Sequence, residues 1–411
     1  MQTFQPYEYL FIAIANAYGL DKAEYSTRIN WVKENINNLE NIQADETFIY
    51  QKQVRALRIA QSKQPVHSVI HFDAVCSGIQ VLSALTGCHK GGKATGLINT
   101  GKRPDAYTEI TKVMEEILGD KLDMTTKELR SCTKEATITA VYGSTNKPKE
   151  IFGQGAKLQS FKKGCKTIAP AAFGMLEILR NSWNAGALSH NWILPDGFNV
   201  YVPVVVSKKA RLEIDELNGH KVSAQFRVNE GTDEGLSNIA NVTHSVDGYI
   251  LRSMIRYCNY DKSTAIRVKE LIDAALAIRA EGAAQLKPNK LMDSLSRAIH
   301  FKLADIRMIN YINVRNVGEL DTWILESLQA DLTKMLSYEP FELVVIHDSF
   351  GCLPSNMNEV RYWYNEVLAK LAESDTMQYL LQQLYRNPEL EFIKESEDLA
   401  NYIRQADYTL C

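Results

Sequence analysis

Over most of the chain apolar residues recur every three or four positions, the period of a helix with one buried face. The stretches Tyr7 to Ala17, Ser26 to Asn38, Ala106 to Leu118, Thr125 to Val141 and Ala171 to Trp183 follow it, the last beginning just after Pro170. Thr125 to Val141 contains no Gly or Pro and stops at Gly143, as a helix should. Residues 1 to about 63 and about 91 to 184 are therefore expected to be mainly helical. Then the period changes. Val200 to Ile214 and Lys221 to Val228 alternate or are β-rich, and Asn218-Gly219 between them predicts a hairpin turn. Helical periodicity returns over Ser263 to Glu281, Lys290 to Asn310 and Val317 to Leu336. Two short apolar runs, Val69 to Phe72 and Phe341 to Ile346, read as strands, the second as a buried one. The pattern is that of an α+β protein, mainly helical, without internal repeats.

Both short strands run into an aspartate. An aspartate at a strand-to-turn junction often does no more than close an Asx-turn. Here two such sites stand in richer surroundings: Asp73-Ala74-Val75-Cys76-Ser77-Gly78-Ile79-Gln80, and His347-Asp348-Ser349-Phe350-Gly351. Between them lies Arg130, followed after three residues by Lys134 and after seven more by Tyr142-Gly143. On a helix the four-residue spacing puts Arg130 and Lys134 on one face, where two cations can meet one polyanion. A solvated face with paired charges is the plainer alternative.

These three segments, in that order, resemble motifs A, B and C of the single-subunit RNA polymerases of T-seven-like phages and mitochondria. Further matches at Asp105-Ala106-Tyr107, Pro195-Asp196-Gly197-Phe198 and His244-Ser245-Val246-Asp247-Gly248 extend the resemblance over nearly the whole chain. It implies a right-hand polymerase fold with palm and fingers, lacking the family's N-terminal domain and thumb. The palm is expected over residues 1–90 and 244–411, with a helical insertion at 255–337; the fingers are expected over 91–243, with a specificity-loop-like hairpin at 199–236.

The resemblance also implies the chemistry: an RNA 3′-hydroxyl attacks the α-phosphorus of an NTP on a DNA template, and pyrophosphate leaves. Two Mg²⁺ ions would serve such a reaction, held by hard oxygen ligands and substrate phosphates. By resemblance those ligands are Asp73, Asp348 and the Ala74 carbonyl. Lys134 would neutralise the leaving pyrophosphate, and Arg130 would clamp phosphate oxygens through its planar fork. Tyr142-Gly143 would lie beside the incoming nucleotide, Tyr142 and His244 would approach the ribose, and Tyr107 is either an active-site or a core aromatic. His347, next to a ligand, is a weaker candidate. On the hairpin, Lys208, Lys209, Arg211 and Arg227 are candidate DNA contacts, since a β-ribbon can enter a major groove; charged edges that block aggregation are the other reading.

Composition narrows this picture. The chain has 411 residues, 45% hydrophobic and 23% charged, enough for a substantial core. A net charge of −3 excludes a uniformly basic surface, so nucleic acid would be met by local clusters such as His89, Lys90, Lys93, Lys102 and Arg103, or Lys157, Lys162, Lys163 and Lys166. Seven cysteines without a CxxC pair are expected to be reduced thiols, and no apolar run approaches the roughly 20 residues of a membrane span, which suits the cytoplasm of an infected bacterial host. The family's N-terminal domain, thumb and Asp-x-x-Gly-Arg segment have no counterpart here. The expectation is a second polymerase subunit supplying them, as in the heterodimeric RNA polymerase of N-four-like bacteriophages, and a promoter-recruiting factor is a further candidate partner. A family A DNA polymerase shares the motif B spacing, but usually carries a glutamate soon after the motif A aspartate and another after the motif C aspartate, where Ser77-Gly78-Ile79-Gln80 and Ser349 stand. A non-catalytic DNA-binding subunit would have no need of Asp73, Lys134 and Asp348 together.

Overall fold

The computed structural model describes residues 1–233, 238–282, 284–286 and 292–411. Its described strands are β1 (Ile70–Asp73), β2 (Ser189–Ile193), β3 (Asn199–Pro203), β4 (Val205–Ile214), β5 (His220–Asn229), β6 (Val344–Ile346) and β7 (Ser349–Cys352). β1, β7 and β6 form an antiparallel sheet in that order, and β2–β3 and β4–β5 are separate two-stranded ribbons. The remainder is mainly helical. No helix among the described residues is long and apolar enough to cross a membrane, and all seven cysteines are unpaired.

The helix Ser77–Thr86 leaves β1 through a tight turn and is buried from Gly78 to Thr86. Its segment carries no charge, so it is apolar on every side and suits a core position. It packs against the helices Pro170–Asn181, Ile239–Cys258 and Met357–Glu373. The one large polar side chain on it, Gln80, is fully bonded: its amide donates to the Thr95 and Thr409 carbonyls at 2.7 and 3.0 Å and accepts from Tyr364 Oη at 2.9 Å. A buried amide satisfied in this way costs little and fixes the helix's rotation.

Three expectations need correction. The strand before His347 is not buried: β6 pairs only with β7, and Val344 and Ile346 are 42% and 57% exposed. It is a sheet edge whose alternate residues Phe341, Leu343 and Val345 turn inward. The run Val200 to Ile214 is two strands, not one. Up to Pro203 it pairs with β2; from Val205 it pairs with β5, and the buried Val204 between them donates its N–H to the Leu188 carbonyl. The run Lys290 to Asn310 is also divided, into the helix Asp293–Phe301, a left-handed Lys302 (φ 46°) and a 3₁₀ turn Ile306–Asn310. Lys290 itself, and residues 234–236 at the end of the expected hairpin segment, lie outside the described residues.

The expected insertion, which holds the helices Lys262–Ala280 and Thr322–Met335, is tied to the core by buried polar bonds at Asp305, Arg307 and Asp331. Asp331 accepts from Tyr257 Oη at 2.8 Å and pairs with Lys370, while Tyr249 donates to Asp305 at 3.0 Å. Asp196, in the β2–β3 loop, is fully buried and accepts from Arg252 Nε at 2.6 Å and Arg256 Nη1 at 3.0 Å; its carbonyl accepts from Arg307 at 2.6 Å.

Candidate active site

The two sequence-distant aspartates meet at one end of the sheet. The β1–β7 register sets Asp73 opposite Ser349, and the Ala74 N–H donates to the Asp348 carbonyl at 3.0 Å. Asp348 sits in the two-residue turn between β6 and β7, whose first residue, His347, takes a left-handed φ of 56°. Cys76 (φ 58°) turns the chain from β1 into the buried helix. Non-glycine residues in this region carry strain of about 1–2 kcal/mol each, and such strain gathers where geometry is set for a purpose. Close approach of β1 and β7 requires Gly351, because a Cβ there would lie 2.4 Å from the His71 ring. Burial, reinforced by the Asp73 charge, pushes the Asp348 carboxyl above its ordinary value. A carboxylate whose charge is disfavoured by burial and by a second carboxylate fits a divalent cation. Among the described residues no three His, Cys, Asp or Glu side chains are grouped to hold a metal alone. Two carboxylates completed by phosphate and water oxygens make a donor set suited to Mg²⁺.

A cleft of about 800 Å³ opens on the Asp73 side, lined by Asp73, Ala74, Tyr107, Arg130 and Lys134. The helix carrying the two cations, Thr126–Ala140, starts in a capping box: Glu128 N–H donates to Thr125 Oγ1, and Thr125 N–H to the Glu128 carboxylate. Arg130 is not free as expected for a phosphate clamp. Its Nη2 and Nε donate to Asp105 Oδ2 at 2.5 and 3.1 Å, and its Nε also to Thr108 Oγ1 at 2.8 Å. Asp105 caps the next helix by accepting from the Thr108 N–H at 3.2 Å. Burial alone would raise the Asp105 carboxyl, but the bonds from Arg130 and Thr108 hold it below its ordinary value. Lys134 is exposed and forms no ion pair among the described residues. Tyr107 is half-buried beside Cys76, and burial pushes its phenol well up.

A second cleft of about 520 Å³ is lined by Ser77, Tyr142, His244, Asp247, His347 and Asp348. Packing explains why Tyr142 reaches it. Gly78 lets the end of the cation-bearing helix close in, since a Cβ there would stand 3.0 Å from Val141 and 3.4 Å from the Tyr142 ring. Gly143 (φ 91°) then turns the chain where a Cβ would strike Ile239 at 2.8 Å. The Tyr142 and His244 rings lie 4.4 Å apart, centroid to centroid. Tyr142 Oη donates to Asp247 Oδ2 at 3.3 Å, and Ser77 Oγ lies 3.4 Å from Tyr142 Oη. Burial pushes the Asp247 carboxyl up to about 7, the Asp348 charge adding to the rise and the Tyr142 bond opposing it. Burial and the neighbouring His347 lower the His244 imidazole. Asp247 was not singled out from the sequence. Its place three residues after His244 on one helix was the available signal, because such residues share a face.

The hairpin candidates divide. In the β4–β5 register Ser207 faces Arg227, Lys209 faces Gln225 and Arg211 faces Ser223, so Lys209, Arg211 and Arg227 share one side of the ribbon. Lys208 points to the other side, opposite Phe226, and pairs with Glu230. That second side carries the exposed Leu212, Val222 and Phe226. Of the other basic clusters, Lys157 and Lys166 are engaged by Asp123 and Glu177, at 2.5 and 3.0 Å.

Residues 5–159, which hold Asp73, Arg130, Lys134 and Tyr142, match the family model of DNA-dependent RNA polymerase. The chain is 24% identical over 348 residues to the T7 RNA polymerase of Escherichia phage T7, covering 61% of this chain and 38% of that protein. It is 27% identical over 162 residues to the mitochondrial DNA-directed RNA polymerase of Neurospora crassa, 33% of this chain and 11% of the relative. A DNA-directed RNA polymerase of Pseudomonas phage phiKMV is 25% identical over 176 residues, 34% of this chain and 21% of the relative. These relatives are nucleotidyltransferases. The chain thus spans between about a tenth and two fifths of the length of these relatives.

Proposed function

We propose that this chain is the catalytic part of a DNA-directed RNA polymerase of the single-subunit type, adding NTPs to an RNA 3′ end on a DNA template and serving phage transcription. The observation that carries this reading is the pairing of β1 with β7 and the Ala74–Asp348 backbone bond, which bring Asp73 and Asp348 together beside a cleft lined by Asp73, Arg130 and Lys134. In this reading the sheet and its helices are the palm, and residues 91–243 are the fingers. Asp73, Asp348 and the Ala74 carbonyl would hold two Mg²⁺ ions, which when bound supply charge neutralisation at the attacking and leaving oxygens. Lys134 faces the triphosphate as the unpaired cation. Arg130, anchored by Asp105, presents its remaining Nη1 edge. Tyr142 and His244 line the sugar side. The basic side of the β4–β5 ribbon, with Lys209, Arg211 and Arg227, faces DNA, and Lys208 is left out of that role. A second polymerase subunit is the assigned partner for the apolar surface at the cleft rim, where Ile346 is 57% exposed and Ile49 is 49% exposed.

The test is Mg²⁺-dependent extension of an RNA primer on a single-stranded DNA template, with NTPs against dNTPs, in the presence of a lysate supplying the partner. Asp348→Asn is expected to abolish addition while leaving the thermal unfolding midpoint within a few degrees of wild type. Full activity in that variant would eliminate the site, and a preference for dNTPs would assign DNA synthesis instead.

A further inference from the structure

We infer that Asp247 is the positioning residue that fixes the direction of the Tyr142 hydroxyl and so sets the choice between ribose and deoxyribose nucleotides. The inference rests on the polymerase reading above and goes beyond it in naming how the sugar is sensed. Tyr142 Oη has one proton to give, and it gives it to Asp247 Oδ2 at 3.3 Å. The lone pairs on Oη are then left as acceptors in the cleft, with Ser77 Oγ at 3.4 Å and the His244 ring beside the phenol at 4.4 Å, tilted by 37°. A hydroxyl is both donor and acceptor, so its direction is decided by the strongest acceptor in reach, and a carboxyl group, which keeps an accepting oxygen in either protonation state, outranks another hydroxyl. Held in this way, Tyr142 is an acceptor aimed into the cleft. A ribose 2′-hydroxyl can donate to it; a deoxyribose leaves it unpaired, and a site built to bond a hydroxyl rejects the analogue lacking it. Remove the carboxylate, and the phenol proton can turn toward Ser77 or the cleft, so that Tyr142 no longer distinguishes the two sugars by its lone pairs.

Asp247 lies on the helix Ile239–Cys258, one turn beyond His244, so the element that carries the neighbouring histidine also carries the orienting carboxyl group. No other acidic side chain is bonded to Tyr142 among the described residues. The effect expected is that of one hydrogen bond, roughly tenfold in selectivity.

Two measurements test the inference separately from the reading on which it rests. The first is equilibrium binding of ATP and dATP to the whole chain, in Mg²⁺, for wild type, Asp247→Ala, Asp247→Asn, Tyr142→Phe and the Asp247→Ala/Tyr142→Phe double variant. The second is the ratio of kcat/KM for NTP and dNTP in primer extension with the partner-supplying lysate. The ATP preference is expected to fall about tenfold in Asp247→Ala and to stay within about threefold of wild type in Asp247→Asn, whose amide oxygen still accepts. Tyr142→Phe should lose as much as Asp247→Ala, and the double variant no more than either, because both remove one interaction. A purely structural Asp247 would lower the unfolding midpoint and weaken both nucleotides alike. An unchanged ratio in Asp247→Ala, or additive losses in the double variant, overturns the inference. An Asp247-dependent binding preference without any extension upholds it and sinks the polymerase reading; extension whose sugar preference Asp247→Ala does not move does the reverse. Neither binding nor extension overturns both.

Discussion

At the scale of single residues the cation side of the site is built around one half-buried pair, Arg130 with Asp105. Its side chains are 24% and 18% exposed, so the two bonds that converge on Asp105 Oδ2 are only partly screened. Asp105 has a lowered carboxyl in the folded chain, held there by Arg130 and Thr108 against the cost of burial. Its contribution is therefore present above the unfolded-state value of about 3.9 and lost as pH falls through the lower folded value. Asp105→Asn should destabilise the chain by about 1–2 kcal/mol at pH 7, and the gap from wild type should begin to shrink below about pH 4. Urea unfolding at pH 7, 5 and 3 measures this, and a gap at pH 3 as wide as at pH 7 would assign the loss to packing. The aspartates 73 and 348 could be read from the sequence because each follows an apolar strand within a longer pattern. The Arg130–Asp105 bond could not. Twenty-five residues separate its partners, and nothing in either segment declares that their helices lie side by side.

Among elements, the three-stranded sheet decides where the carboxylates stand. Its central contact is the His71 ring lying over Gly351, where a methyl group would sit 2.4–2.8 Å from ring atoms. Gly351→Ala is expected to cost about 1–3 kcal/mol through overpacking, with loss of nucleotide addition, and His71→Ala in the same chain should restore most of the stability. Thermal unfolding of the single and double variants checks it; no recovery in the double variant would place the strain elsewhere. Helix periodicity was legible almost to the residue where caps mark the ends, as in Ala106–Leu118 between Asp105 and Gly119. The burial of β6 was misread because an apolar run has the same sequence on a sheet edge as in its centre, and only the number of neighbouring strands distinguishes them. The ribbon β4–β5 was legible from Asn218-Gly219, while the siding of its four cations waited on the register, since shifting a strand by one residue exchanges its faces.

At the scale of the whole molecule, the buried Asp196 joins three parts: the β2–β3 loop, the helix Ile239–Cys258 that carries His244 and Asp247, and Arg307 in the segment leading to the helix Thr322–Met335. Asp196→Ala removes a fully buried charge and leaves Arg252 and Arg256 without their common partner. It should cost about 3–5 kcal/mol, read as a shift of the denaturant midpoint. A loss under about 1 kcal/mol would show that the arginines find other acceptors. This connection explains what the segment 255–337 does for the fold, a point on which its helical periodicity was silent. It props the helix that carries His244 and Asp247.

The backbone bond between Ala74 and Asp348 bears on how such a site could move. Asp73 ends β1 and Asp348 stands in the β6–β7 turn of the same paired sheet, whereas Arg130 and Lys134 ride on a helix whose main neighbours are the helices Ala106–Leu118 and Asn146–Phe152. Any opening or closing must therefore change the gap between the acidic and the basic halves while the spacing of the two acids stays fixed. The like charges form a rigid gauge, and the opposite charges act as a calliper that closes upon whatever polyanion lies between its jaws.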